Sequence, residues 1–146
     1  MTTAQKKSNT KNNTIESLFS TWFFDQVDTD DLDMMTKLHK DMIVQAHLKM
    51  MPRTAGAPSI SFSVPDIKAK TWADRKTYLD IIADDMAFMI DSIAALLSDE
   101  HYLIDLLLHP RTLVSQNAKG QYVLDRDGDV RQSHLHVVIR GVLNKT

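Results

Sequence analysis

Residues 77–110, TYLDIIADDMAFMIDSIAALLSDEHYLIDLLLHP, decide how this chain of 146 residues is read. Residues 78–83 form an apolar run of strand length that ends in two acids, Asp84 and Asp85. Met86, Met89, Ile90, Ile93 and Leu97 then recur at helical spacing, so a helix with one buried face follows, capped by the two aspartates. Residues 102–109 are apolar nearly throughout, the pattern of a strand covered on both faces, and Pro110 limits it. Beyond it, residues 112–116 and 121–124 flank Asn117-Ala118-Lys119-Gly120, a hairpin signature. Residues 125–129 turn the chain, and residues 134–140 alternate as a further strand. Strand, helix, strand, hairpin and strand make an α+β pattern.

Working outward, four segments emerge. Residues 1–13 are polar and read as a disordered leader. Residues 14–52 form a helical arm. In it Ile15, Leu18, Phe19, Trp22 and Phe23 make one stripe, after a possible cap at Asn13 with Glu16. Thr29-Asp30-Asp31 opens a second helix whose stripe runs Leu32, Met35, Leu38, Met42 and Ala46. Phe24 lies off the first stripe and is a candidate partner contact. Residues 53–76 are a connector with one short strand, where Ile60, Phe62 and Val64 share a face between Pro58 and Pro65, as on an edge strand. Residues 77–146 hold the α+β unit.

Composition narrows the function classes. There is no cysteine, which excludes disulfides, thiolate metal sites and cysteine nucleophiles and fits a reducing, cytoplasmic setting. The four glycines do not form a phosphate-cradling loop, so no nucleotide cofactor is expected in this chain. No apolar stretch serves as a signal peptide or a membrane span. Residues 14–51 carry seven acids against three bases, which disfavours nucleic acid as a partner.

The 77–110 stretch resembles the first ACT-type segment of the large bacterial NAD-dependent glutamate dehydrogenases. Asp84, Asp85, Met86, Phe88, Asp91, Ser92, His109 and Pro110 carry the likeness, and Ser133, His136 and Ile139 continue it. Residues 24–50 resemble that family's helical arm and residues 58–64 its short strand. Ala87 departs from the family's helix-opening proline. Glu100-His101 stand where the family has glycine, so a turn of different geometry is expected there.

The resemblance implies an incomplete ACT-like βαββ antiparallel sheet with a helix on one face, one helix and one strand short by Thr146. It also implies a non-catalytic regulatory or assembly segment. The reaction of the full-length family, glutamate to 2-oxoglutarate and ammonia with NAD, would belong to other domains. Expected partners are the rest of a dehydrogenase chain or another copy of this one. The alternative is a stand-alone module for amino-acid sensing or oligomerisation. The free edge of the first strand of the unit must be covered, by residues 60–64 or by another copy.

Asp84, Asp85 and Met86 at the strand-to-helix junction are the candidate effector site, since helix-start N–H groups can hold a carboxylate and aspartate an ammonium group. The competing reading makes both aspartates helix caps and nothing more. His134 and His136 share a strand face and, with His109, could offer three nitrogens to a metal, but no acid or cysteine completes the set and no metal is expected. Asp125 to Asp129 has misplaced spacing for a calcium loop and reads as a turn.

Overall fold

The computed structural model describes residues 15–65 and 75–141. The expected leader, the Asn13 cap, the latter part of the connector and residues 142–146 lie outside them. The arm consists of α1 (residues 15–24), α2 (Thr29–Met34) and α3 (Lys37–Lys49). What the stripe from Leu32 to Ala46 suggested as one helix is two. The chain leaves helical geometry at Met35, and the Thr36 side chain accepts the N–H of His39 at 3.1 Å to start α3 afresh. This break resets the inward face. Ile43, Val44 and His47 are buried, while Leu38, placed inside by the unbroken pattern, is exposed.

Among the described residues the sheet has seven strands: β1 (Arg53–Thr54), β2 (Ser59–Ser63), β3 (Lys76–Asp84), β4 (Ile104–Leu108), β5 (Arg111–Gln116), β6 (Gln121–Leu124) and β7 (Val130–Arg140). The helix α4 (Met89–Asp99) joins β3 to β4. Every strand pair is antiparallel, and the hydrogen-bonded order is β1-β6-β5-β7-β3-β2. The spine is β3 against β7, in unbroken register from Lys76 opposite Arg140 to Asp84 opposite Gln132. The far edge of β7 is divided. β5 pairs with residues 130–133 and β4 with residues 136–139, and the chain passes from one to the other through His109 and Pro110. The free edge of β3 is covered from within the chain, since β2 pairs along it with Ile60 opposite Ile81. β2 is itself the sheet edge, and its two apolar side chains, Ile60 and Phe62, are exposed, as is Val64 just beyond it.

Alternation along β3 and β7 sends successive side chains to opposite faces, and both faces are covered. Leu79, Ile81, Leu135, Val137 and Ile139 pack against Met89 and Leu97 of α4. On the other side Phe19 and Phe23 of α1 and Ile43 and Val44 of α3 pack with Leu108. The expected sheet with a helix on one face is therefore a three-layer sandwich. The arm supplies the second helical layer because the inward positions of its apolar stripes can be buried only against the sheet. Phe24 packs edge-on to Phe23 at a 5.0 Å centroid separation and is partly buried in this layer. Among the described residues no helix is long and apolar enough to cross a membrane.

The ends of α4 correct two expectations. Asp84 is the last residue of β3 and neither aspartate caps the helix. Phe88 holds the cap position in left-handed geometry with φ 65°, an exposed aromatic where such a backbone is uncommon. At the other end the turn keeps the geometry that suits glycine. His101 has φ 65°, the N–H of Tyr102 bonds to the carbonyl of Leu97 at 2.9 Å, and the N–H of His101 bonds to that of Ser98 at 2.9 Å. These two bonds form a Schellman closure with a side chain in the strained position.

His101→Gly is expected to raise stability by about 0.5–1 kcal/mol in urea denaturation, because relief of left-handed strain exceeds the added unfolded-state entropy. Gly128→Ala should lower it by about 1–3 kcal/mol in the same measurement. A Cβ at position 128 would stand 2.4 Å from the backbone oxygen of Val114, with no flexible neighbour to yield.

Candidate functional site

Between the arm and the sheet lies a layer of buried polar groups that the apolar clusters enclose. Asp80, on β3, is 2% exposed, and His47, His134 and His136 are wholly buried. Oδ1 of Asp80 accepts from His136 Nδ1 at 2.7 Å and from His47 Nε2 at 2.9 Å. The other ring nitrogens continue outward. His47 Nδ1 meets His134 Nδ1 at 3.1 Å, and His136 Nε2 meets His39 Nε2 at 2.9 Å. His134 Nε2 meets the Thr112 hydroxyl at 2.8 Å and the Gln132 amide nitrogen at 3.3 Å.

The direction of each bond follows from two groups with fixed roles, the Arg53 guanidinium and the Asp80 carboxylate. A guanidinium has donors only, so its Nε, 3.0 Å from Gln132 Oε1, fixes which end of that amide is oxygen. Gln132 therefore turns its NH2 to His134 Nε2, which must accept. In the neutral ring His134 Nδ1 then carries the hydrogen and donates to His47 Nδ1. His47 donates from Nε2 to Asp80. Arriving from the other side, His136 donates from Nδ1 to Asp80, accepts on Nε2, and makes His39 the donor. All arrows converge on one carboxylate.

Electrostatics agree with this assignment. Burial works against an ionised Asp80, but the hydrogen bonds from His136 and His47 outweigh it and hold its pKa below the ordinary carboxylate value. Burial pushes His134 well below an ordinary histidine, helped by His47, Arg53 and His109. His39 is lowered to about 4, mainly by burial and next by His136, with Asp80 opposing. Tyr78, stacked on His39 at 4.4 Å between centroids, is raised by burial and by Asp80.

The candidate effector residues sit at one end of the spine. Asp84 pairs with Arg53 at 2.6 Å. Asp85 takes both of its close hydrogen bonds on Oδ1, from Ser133 at 2.7 Å and from Arg111 at 3.0 Å. Its Oδ2 faces Arg131 at 3.9 Å. Burial raises the Asp85 carboxyl, but the Ser133 and Arg111 hydrogen bonds prevail and its pKa is lowered. An open crevice of about 570 Å³ runs past Asp84, Asp85, Asp129 and Arg131. Met86 is exposed beside it in sequence but does not line it. Ser133 also accepts from His109 Nε2 at 2.9 Å. Its proton is committed to Asp85, so this acid, serine and histidine do not form an activated nucleophile.

The three histidines considered together for a metal are separated: His134 and His136 face the arm, and His109 bonds to Ser133 on the other side of the sheet. Among the described residues no group of three or more histidines or carboxylates is placed to hold a metal ion. Residues 125–129 form the expected turn, with the Asp125 carboxylate accepting the N–H of Asp127 at 3.0 Å. Sequence reading missed His39, His47, Asp80, Arg53 and Gln132. A signal was present, because His39, Ile43 and His47 recur every four residues, but histidines on the inward face diluted the apolar pattern.

Comparison with known proteins gives one finding. Residues 19–145 match the family model described as glutamate dehydrogenase, ACT1 domain. Searches of curated proteins and of solved structures returned no match.

Imidazole nitrogen spectra at pH 7.5 should show hydrogen on Nδ1 of His134 and His136 and on Nε2 of His39 and His47. Hydrogen on Nε2 of His134 would break the assignment that starts at Arg53.

Proposed function

The chain belongs to the glutamate dehydrogenase ACT1-domain family, and from that premise we propose that it is the non-catalytic regulatory and assembly segment of an NAD-dependent glutamate dehydrogenase. A regulatory ACT-type segment is what the family match supports. Dependence on NAD, the assembly role and the effector site are this reading's additions. In it, hydride transfer between glutamate and NAD takes place in other domains, and this segment tunes or holds them.

The observation that carries the effector part is the crevice at the end of β3, where carboxylates and a guanidinium stand side by side. An α-amino acid presents one ammonium and one carboxylate group. Asp85 keeps Oδ2 outside its two close hydrogen bonds, facing the crevice side on which Arg131 lies. Asp129 is exposed and makes no ion pair among the described residues. These acids suit the ammonium, and Arg131, 64% exposed, suits the carboxylate. Met86 would border the entrance.

Calorimetry of the chain with each of the common amino acids tests this reading. Saturable binding of at least one, weakened tenfold or more by Asp85→Ala, is expected. Flat isotherms for all of them would remove the sensing role.

A further inference from the structure

We propose that the arm's hold on the sheet is proton-linked, so that mild acid makes α3 lift from β3 and β7 more often while the sheet keeps its own pairing. Each hydrogen bond that crosses from α3 to these strands uses an imidazole: His39 to His136, His47 to Asp80 and His47 to His134. The two bonds of His47 cannot be exchanged for water while the arm stays seated, because Phe19 and Phe23 pack over His47 and His134.

The groups facing this chain limit how it can take up protons. From β3 they are Tyr78 and Asp80, with Lys76 drawn aside to Asp105 and Asp84 to Arg53. From β7 they are Gln132, His134 and His136, from β5 Thr112, and from β1 Arg53. α1 contributes Phe19 and Phe23, and β4 contributes Leu106 and Leu108, none of them charged. A proton placed on His134 Nε2 would point at the Gln132 NH2, and that amide cannot turn because Arg53 holds its oxygen. Thr112 can reverse its hydroxyl but Gln132 cannot. A proton on His39 sits on a half-buried ring next to His136, with Asp80 compensating only in part.

His39 therefore stays neutral while the arm is seated and regains an ordinary affinity for protons once it lifts, whereas His134 keeps its Gln132 partner on the sheet in both forms. The sign follows from linkage: groups whose folded pKa is depressed favour the closed form above the unfolded value of 6.5 and lose that effect as pH falls toward the folded value, about 4 for His39. From pH 7.5 to 5.5 the His39 ring favours opening by about tenfold. The apolar cluster beneath the arm, with Phe19, Phe23 and Ile43 wholly buried, is too extensive for this to expel it outright. The effect is more frequent opening.

Native-state hydrogen exchange on the full chain, corrected for the intrinsic pH dependence of exchange, reads the opening constant of α3 amides against those of β3 and β7. A rise of about tenfold for α3 between pH 7.5 and 5.5, exceeding that of the strands and nearly abolished in His39→Gln, is expected. His39 is half-buried, so this variant should fold where His134→Gln fails to. A smaller rise, a rise that His39→Gln leaves untouched, or α3 and strands moving in step would overturn the proposal.

Discussion

The burial of one carboxylate constrains most of this molecule. An ionised Asp80 at 2% exposure is tolerable only if strong donors surround it, and β3 itself has none to give. One donor comes from β7, two strand positions from His134, and the other from α3, which is remote in sequence. The position of the arm is therefore set by chemistry as well as by packing. An arm shifted by one helical residue would still bury apolar surface but would leave the aspartate with a single partner. Apolar contacts between α1, α3 and the sheet supply most of the attraction, and the carboxylate selects the seat.

A second tie supports that selection. The Gln26 side chain, just beyond α1, pairs with the backbone of Arg111 through both of its amide atoms, at 2.7 and 2.9 Å, as a neighbouring strand would. Arg53 links the other side of the site. It bonds Gln132 and Asp84 and the carbonyl of Ala57, and its guanidinium lies over the Tyr122 ring at 5.1 Å. One buried guanidinium thus orients the histidine chain and holds Asp84 of the acidic crevice.

Much of the sheet was legible in sequence. The strand before Asp84, the hairpin around Asn117 to Gly120 and the need to cover the edge of β3 follow from alternation, turn chemistry and the intolerance of bare edges. Of the two occupants left open, the Ile60 strand or another copy, the fold uses the first. The arm was less legible. Thr36 caps α3 and shifts its inward face, and that face carries His39 and His47, whose polarity cancels the periodic signal used to find it. Asp84 and Asp85 read as caps because acids precede a helix, yet Arg53, Arg111 and Ser133 claim them through contacts that only the folded topology creates. The turn at His101 was misjudged for a different reason. Hydrogen bonds from Tyr102 and His101 to the last turn of α4 hold the glycine-like backbone with a larger residue in place.

The divided edge of β7 separates what in this fold can vary from what cannot. Its residues 136–139, between β3 and β4, carry His136 and part of the α4 core, so a length change there would reverse inward and outward side chains. Its residues 130–133 instead support a lateral wing of β5, β6 and β1, whose outer loop at Asn117 to Gly120 touches neither helical layer's core cluster. Insertions at that tip would lengthen the wing without disturbing the register of the spine. The loop is thus the natural port for grafting a tag or a reporter domain onto the chain.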